Sequence, residues 1–235
     1  MSTLEETRDA PVVLAHHLYR FYHAGDEEIL ALQGVDLSVG PGEIVAVAGP
    51  SGSGKSTLLA CLAGLDDPDG GTVWIENVRI SRQPEAVRAR LRRDVIGVLY
   101  QSGNLLPHLS VTGNIELSRR LTGTTGGPAP ARLLEELGIS HRAHAMPSTL
   151  SGGETARAGL AVAVASGPRV LLADEPTGEL DTGSEQRLLA LLRQRAAGGL
   201  AVVVASHSPV VLDWADRVLY LADGRPVRPV SRMAS

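Results

Sequence analysis

From Glu43 to Gly49 the chain reads EIVAVAG, a continuous apolar run of strand length that gives way to glycine. Three later segments have the same character: DVIGVLYQ ending at Gln101, RVLLAD ending at Asp174, and LAVVVAS ending at Ser206. RVLYLAD, Arg217 to Asp223, reads as the last strand of the chain. Residues 12–22 and 29–39 alternate apolar and polar, and the acidic turn AGDEE between them predicts a hairpin. GTVWIENVRI is read as one further alternating strand. Helical patterns follow most of these runs. STLLACLAG comes after the strand at Glu43. The region 102–150 is helical and broken by GTTGGPAP at 123–130. A helix begins near Ser151, another runs through Ser184–Arg195, and a short one precedes Arg217. Apolar strands alternating with helices predict a mostly parallel sheet covered on both faces.

Composition narrows this picture. The 235 residues are 43% hydrophobic and 20% charged, with a net charge of −4, which is ordinary for a globular chain. No window reaches the roughly 18 consecutive apolar residues of a membrane span; Leu160–Ala165 and Leu200–Ala205 are too short and read as core. The acidic start MSTLEETRDAPVV lacks the pattern of a signal peptide, so a cytoplasmic location is expected. Cys61 cannot pair with another cysteine and is expected as a small buried residue. Of the 22 basic residues all but Lys55 are arginine. A lysine kept in such a background marks a place where a compact ammonium is needed. Arg88, Arg90, Arg92 and Arg93 cluster in PEAVRARLRRD, whose Pro84 suits a helix start. They read as a solvated helix end, with a partner or anionic lipid as the alternative. His141 and His144 have no further ligands near them in sequence, so no zinc-type site is expected.

Two segments carry chemistry. Gly49, Pro50, Ser51, Gly52, Ser53, Gly54, Lys55, Ser56 and Thr57 fit G-x-x-x-x-G-K-[ST] between a strand and a helix, the context of a P-loop. Its glycines let backbone N–H groups curl around phosphates, Lys55 reaches the β- and γ-phosphates, and the Ser56 hydroxyl is available to Mg²⁺. The second is VLLADE, where an apolar strand delivers Asp174 and Glu175 at its C-terminal end. Asp174 is suited to the Mg²⁺ shell, and Glu175, on the other side of the strand end, to activating a water molecule.

Leu150-Ser151-Gly152-Gly153-Glu154 resembles the LSGGQ signature of ABC transporter nucleotide-binding domains, and the rest of the chain follows that family's order. Tyr22 resembles the aromatic residue that stacks on adenine, and Gln101 the Q-loop glutamine. Glu179, Leu180 and Asp181 are similar to the D-loop, and His207 to the switch histidine. The resemblance runs from about Val12 to Gly224, and its closest form is the branch of macrolide exporters and lipoprotein-releasing systems. Glu154 stands where glutamine is commoner, Val162 where arginine is usual, and Gly113 where a helix former is usual. Ser151 to Glu154 also has the form of a helix capping box.

The resemblance implies an α/β P-loop NTPase (RecA-like) core, about 11–101 and 166–224, with an N-terminal antiparallel β-subdomain. It implies an α-helical subdomain, about 102–165, carrying the signature. It further implies an ATPase with ATP and Mg²⁺ as cofactors, the metal near Ser56, Gln101 and Asp174. The working unit would be a homodimer, head-to-tail and ATP-dependent, with each ATP between one P-loop and the other subunit's Ser151, Gly152, Gly153 and Glu154. Glu175, Gln101 and His207 would be the catalytic residues. The dimer would drive a separate transmembrane permease, placing the chain on the inner face of the cell membrane. Signalling through a small membrane protein to cell-wall or division machinery is the alternative use. The single domain and acidic balance disfavour nucleic acid as a partner.

Overall fold

The computed structural model describes residues 10–24, 27–123, 128–178 and 180–227. The continuous apolar runs assemble into one six-stranded sheet. It contains β3 (Ile44–Ala48), β6 (Ile96–Leu99), β7 (Val170–Asp174), β8 (Ala201–Ala205), β9 (Arg217–Ala222) and β10 (Arg225–Val227), in the order β10-β9-β3-β8-β7-β6. All pairings are parallel except that of β10 with β9. The alternating runs form a separate antiparallel sheet, ordered β2-β1-β4-β5, from β1 (Val13–Ala24), β2 (Glu27–Val39), β4 (Gly70–Ile75) and β5 (Val78–Arg79).

Side chains on a strand alternate between faces, and the central sheet buries both. Val45, Val47, Val170, Leu172 and Val203 pack toward the antiparallel sheet and toward α1 (Lys55–Leu62). Ile44, Ala46, Leu171, Val202 and Val204 pack toward α5 (Gly152–Val164), α6 (Thr182–Ala197) and α7 (Pro209–Trp214). With about 1.5–3 kcal/mol gained per fully buried Val, Leu or Ile side chain, this double-sided burial explains why these strands carry no polar alternation. Cys61 is buried in α1, and its environment pushes the thiol up to about 12. The expected small apolar role holds.

Between β6 and β7 the chain is helical: α3 (Val111–Thr122), α4 (Pro130–Glu136), two 3₁₀ turns and α5. Gly113 occupies the third position of α3, where its N–H donates to the capping hydroxyl of Ser110 at 3.1 Å. A Cβ there would stand 3.3 Å from that hydroxyl, so the missing side chain gives the cap room. Residues 124–127 of the expected linker, Glu179 of the D-loop segment and residues 25 and 26 of the first turn lie outside the described residues.

Three expectations change. GTVWIENVRI is a hairpin rather than one strand, because Glu76 and Asn77 both adopt positive φ (49° and 62°), the geometry of a type I′ turn. RVLYLAD is not the last strand: Asp223 and Gly224 make another positive-φ turn and return the chain as β10. The arginine-rich helix α2 (Glu85–Asp94) is solvated at Arg90 and Arg93, as expected, but not at Arg88 and Arg92. Arg88 pairs with Asp67 at 3.0 Å, Arg92 with Glu85 and the Gly64 carbonyl, and Arg93 with Asp94 at 2.6 Å.

Candidate active site

Strands β3, β6, β7 and β8 run parallel, so their C-terminal ends meet at one edge, where open α/β sheets bind ligands. The residues just beyond those ends, Gly49, Gln101, Glu175 and His207, line a single cleft of about 1180 Å³.

The loop from Gly49 to Gly54 needs its glycines at two points. Gly49 has φ 151° and Gly54 φ 100°. An added Cβ would fall 2.2 Å from the Leu221 carbonyl at the first and 2.3 Å from the Ala31 carbonyl at the second. Ser53 is buried beneath the loop, and its carbonyl accepts a hydrogen bond from Gly224 N–H at 3.2 Å. The same Asp223–Gly224 turn is bound to β2 through Gln33, whose side chain donates to the Asp223 carbonyl at 2.8 Å. The strand missed in the sequence therefore backs the loop, and the Asp-Gly pair was the signal for it. Lys55 folds over the loop and donates to the carbonyls of Gly49 and Pro50, both at 2.9 Å. Ser56 and Thr57 open α1 at the cleft wall.

Glu175 follows β7 with φ 47°, a left-handed conformation that is uncommon for a residue with a side chain and recurs at functional sites. Its N–H donates to the Ala205 carbonyl of β8 at 2.9 Å, which holds the unusual backbone in place. One carboxylate oxygen lies 2.9 Å from His207 Nδ1, and the other accepts from Ser206 Oγ at 3.4 Å. Asp174, half-buried, and Gln101, exposed, face the same cleft. Asp181 caps α6, accepting from Ser184 N–H at 3.0 Å.

Tyr22 forms the outer wall. Its hydroxyl donates to Asp66 at 2.6 Å, and the Arg20 guanidinium lies 4.6 Å from its ring centroid. Arg20 is itself bound to Asp66 (2.8 Å) and Asp69 (3.0 Å). Arg20, Asp66 and Asp69 fix the ring and were not singled out from the sequence. The acidic run Asp66-Asp67-Pro68-Asp69 was the available signal.

Ser151 caps α5. Its Oγ accepts from Glu154 N–H at 3.3 Å, and Ser151 N–H donates to the Glu154 carboxylate at 2.9 Å, the reciprocal capping box. Arg142 donates to the other carboxylate oxygen at 2.8 Å, and that bond, with the one from Ser151 N–H, holds Glu154 down at about 2. Gly152 lines the cleft, while Ser151, Gly153, Glu154 and Ser53 are absent from its lining. Val162 packs against the helical core, and its carbonyl accepts from Ser118.

A P-loop, an acidic strand end and a capped signature helix around one cleft define an ATP-binding cassette. The model of the family described as ABC transporter matches residues 32–178, and the chain belongs to that family as its ATP-binding, ATP-hydrolysing component. The chain is 38% identical over 92% of its length to the macrolide export ATP-binding/permease protein MacB 2 of Aeromonas hydrophila. It spans about a third of that protein's length (34%). It is 40% identical to the lipoprotein-releasing system ATP-binding protein LolD 2 of Caulobacter vibrioides, covering 91% of this chain and 96% of that one. Among solved structures it resembles the ATP-binding cassette MJ0796 as a dimer bound to ADP and Pi. That match has a TM-score of 0.86 and 34% identity, covering 92% of this chain and 97% of that one. The branch expected from the sequence is the one these relatives represent. Among the described residues no helix is long and apolar enough to cross a membrane.

Proposed function

We propose that this cassette works as a head-to-tail homodimer whose ATP-driven closure energises a separate transmembrane permease from the cytoplasmic face of the membrane. The observation that carries the reading is the division of the chemistry. The P-loop, Asp174, Glu175 and His207 share one cleft, and the signature comes from a separate element, the capped start of α5, of which Gly152 reaches the lining and Ser151 does not. The dimer is supported by MJ0796, similar over nearly its whole length, whose solved structure is dimeric. Ser151 Oγ accepts the Glu154 N–H, and its own proton stays available to donate to a γ-phosphate oxygen. The permease partner and membrane location are supported by the printed names of the relatives, one of which carries a permease in the same chain.

In this reading Lys55 leaves the two loop carbonyls for the β- and γ-phosphates, and the loop N–H groups take the remaining oxygens. Tyr22, backed by Arg20 and tied to Asp66, stacks on the adenine. Ser56, Asp174 and Gln101 offer oxygen donors on one cleft, a set that suits Mg²⁺. The ion would offset the phosphate charge. Glu175 takes the proton of the attacking water, and His207, 2.9 Å away, orients that carboxylate or meets the γ-phosphate. The division into a core at about 11–101 and 166–224 and a helical subdomain at about 102–165 would let the signature move relative to the P-loop.

Turnover tests the dimer. With saturating MgATP, ATPase activity per subunit should rise with protein concentration and level off once the dimer dominates. A specific activity constant down to nanomolar protein contradicts it.

A further inference from the structure

Neighbouring residues of a strand point to opposite faces, yet His16 and His17 both point to solvent while Ala15 and Leu18 on either side are buried. The cause is a bulge: the β1–β2 register shifts between Ala15 and Leu18, and His17 adopts φ 51°. Histidine is among the residue types enriched in that conformation. The bulge is seated against β4 at Gly71, where an added Cβ would lie 2.3 Å from the His17 carbonyl and 2.4 Å from that of His16. From β2, Asp36 accepts the His17 N–H at 2.8 Å and lies 3.2 Å from His17 Nδ1. The two imidazoles stack with centroids 5.3 Å apart. One ligand atom from each of the three side chains lies within 4.8 Å of the others.

We propose that His16, His17 and Asp36 form a surface site for a divalent transition-metal ion of the zinc class, outside the nucleotide cleft's lining. Two ligands each about 2.1 Å from a tetrahedral zinc stand about 3.4 Å apart, close to the His17–Asp36 separation. Two imidazoles with one carboxylate favour zinc, nickel or copper over magnesium or calcium, which take oxygen shells. Three protein ligands leave further positions to water. The bound ion ties β1 to β2 on the strand that carries Tyr22. The competing role for the trio is a hydrogen bond from His17 to Asp36 that only holds the bulge.

The test uses the untagged full chain, stripped with EDTA and titrated with ZnCl₂ by calorimetry. Parent and variants alike carry His207→Ala, which removes the histidine of the nucleotide cleft; Asp174 and Glu175 remain in every protein compared, so a loss of affinity specific to His16→Ala reports the surface site. One saturable equivalent is expected. His16→Ala, which removes an exposed ring outside the bulge's hydrogen bonds, should weaken zinc binding at least about tenfold. Asp36→Asn should do the same, and circular dichroism should show both variants folded. Equal affinity in His16→Ala and its parent, or no saturable binding in the parent, overturns the proposal.

Discussion

Glu175→Gln should still bind ATP but lose about 10²- to 10⁴-fold in turnover, the range that a positioned general base supplies. The substitution keeps the shape and the hydrogen bond toward Ser206, so the left-handed backbone held by the Ala205 carbonyl is undisturbed. In the proposed mechanism it removes the acceptor for the water proton and one negative charge beside the γ-phosphate. The ATP-bound dimer, unable to discharge its ligand, should accumulate and be visible by size-exclusion chromatography with light scattering. Wild-type turnover in Glu175→Gln would remove Glu175 as the base.

Lys55→Ala should weaken ATP binding about 10- to 100-fold, since hydrogen bonds to charged groups contribute about 1.5–3 kcal/mol each. Lys55→Arg should not restore it. On binding ATP the ammonium leaves the Gly49 and Pro50 carbonyls, both 2.9 Å away, for the β- and γ-phosphates, a compact point-donor role that the planar, forked guanidinium does not reproduce. Nucleotide titration followed by fluorescence decides between them, and arginine binding ATP as well as lysine does contradicts the assignment. Lys55 is the one lysine among 22 basic residues, in keeping with a position that needs a compact ammonium.

The sequence was most legible where one physical demand fixed several residues at once. A parallel strand buried on both faces must be apolar throughout, so β3, β7 and β8 stood out, and the chemistry follows directly at their ends. Turns between short antiparallel strands leave a fainter mark. Glu76-Asn77 carries no glycine to interrupt the strand pattern. Asp223-Gly224 closes a hairpin of only three residues, Arg225–Val227, one of them proline. Long-range partners were the least legible. Asp66 and Asp69 lie 46 and 49 positions beyond Arg20 along the chain, and only the fold brings them to Arg20 and Tyr22. The His16–His17 bulge was invisible for the same reason, because alternation predicts that the two rings diverge.

The central claim is that each ATP site is completed by Ser151 of the other subunit, and a mixing experiment tests it most directly. Within one subunit Ser151 is a helix cap whose loss costs about 1 kcal/mol of stability. Ser151→Arg, checked for folding by circular dichroism, should therefore bind ATP at its own P-loop nearly as wild type does, yet fail to close and hydrolyse. Lys55→Ala should be inactive for the opposite reason. In a heterodimer of the two, one composite site contains both lesions and the other contains neither. The account predicts that mixing the inactive variants restores ATPase activity that neither shows alone. No recovery at any mixing ratio, together with loss of ATP binding in folded Ser151→Arg alone, would place Ser151 in its own subunit's site and contradict the head-to-tail dimer.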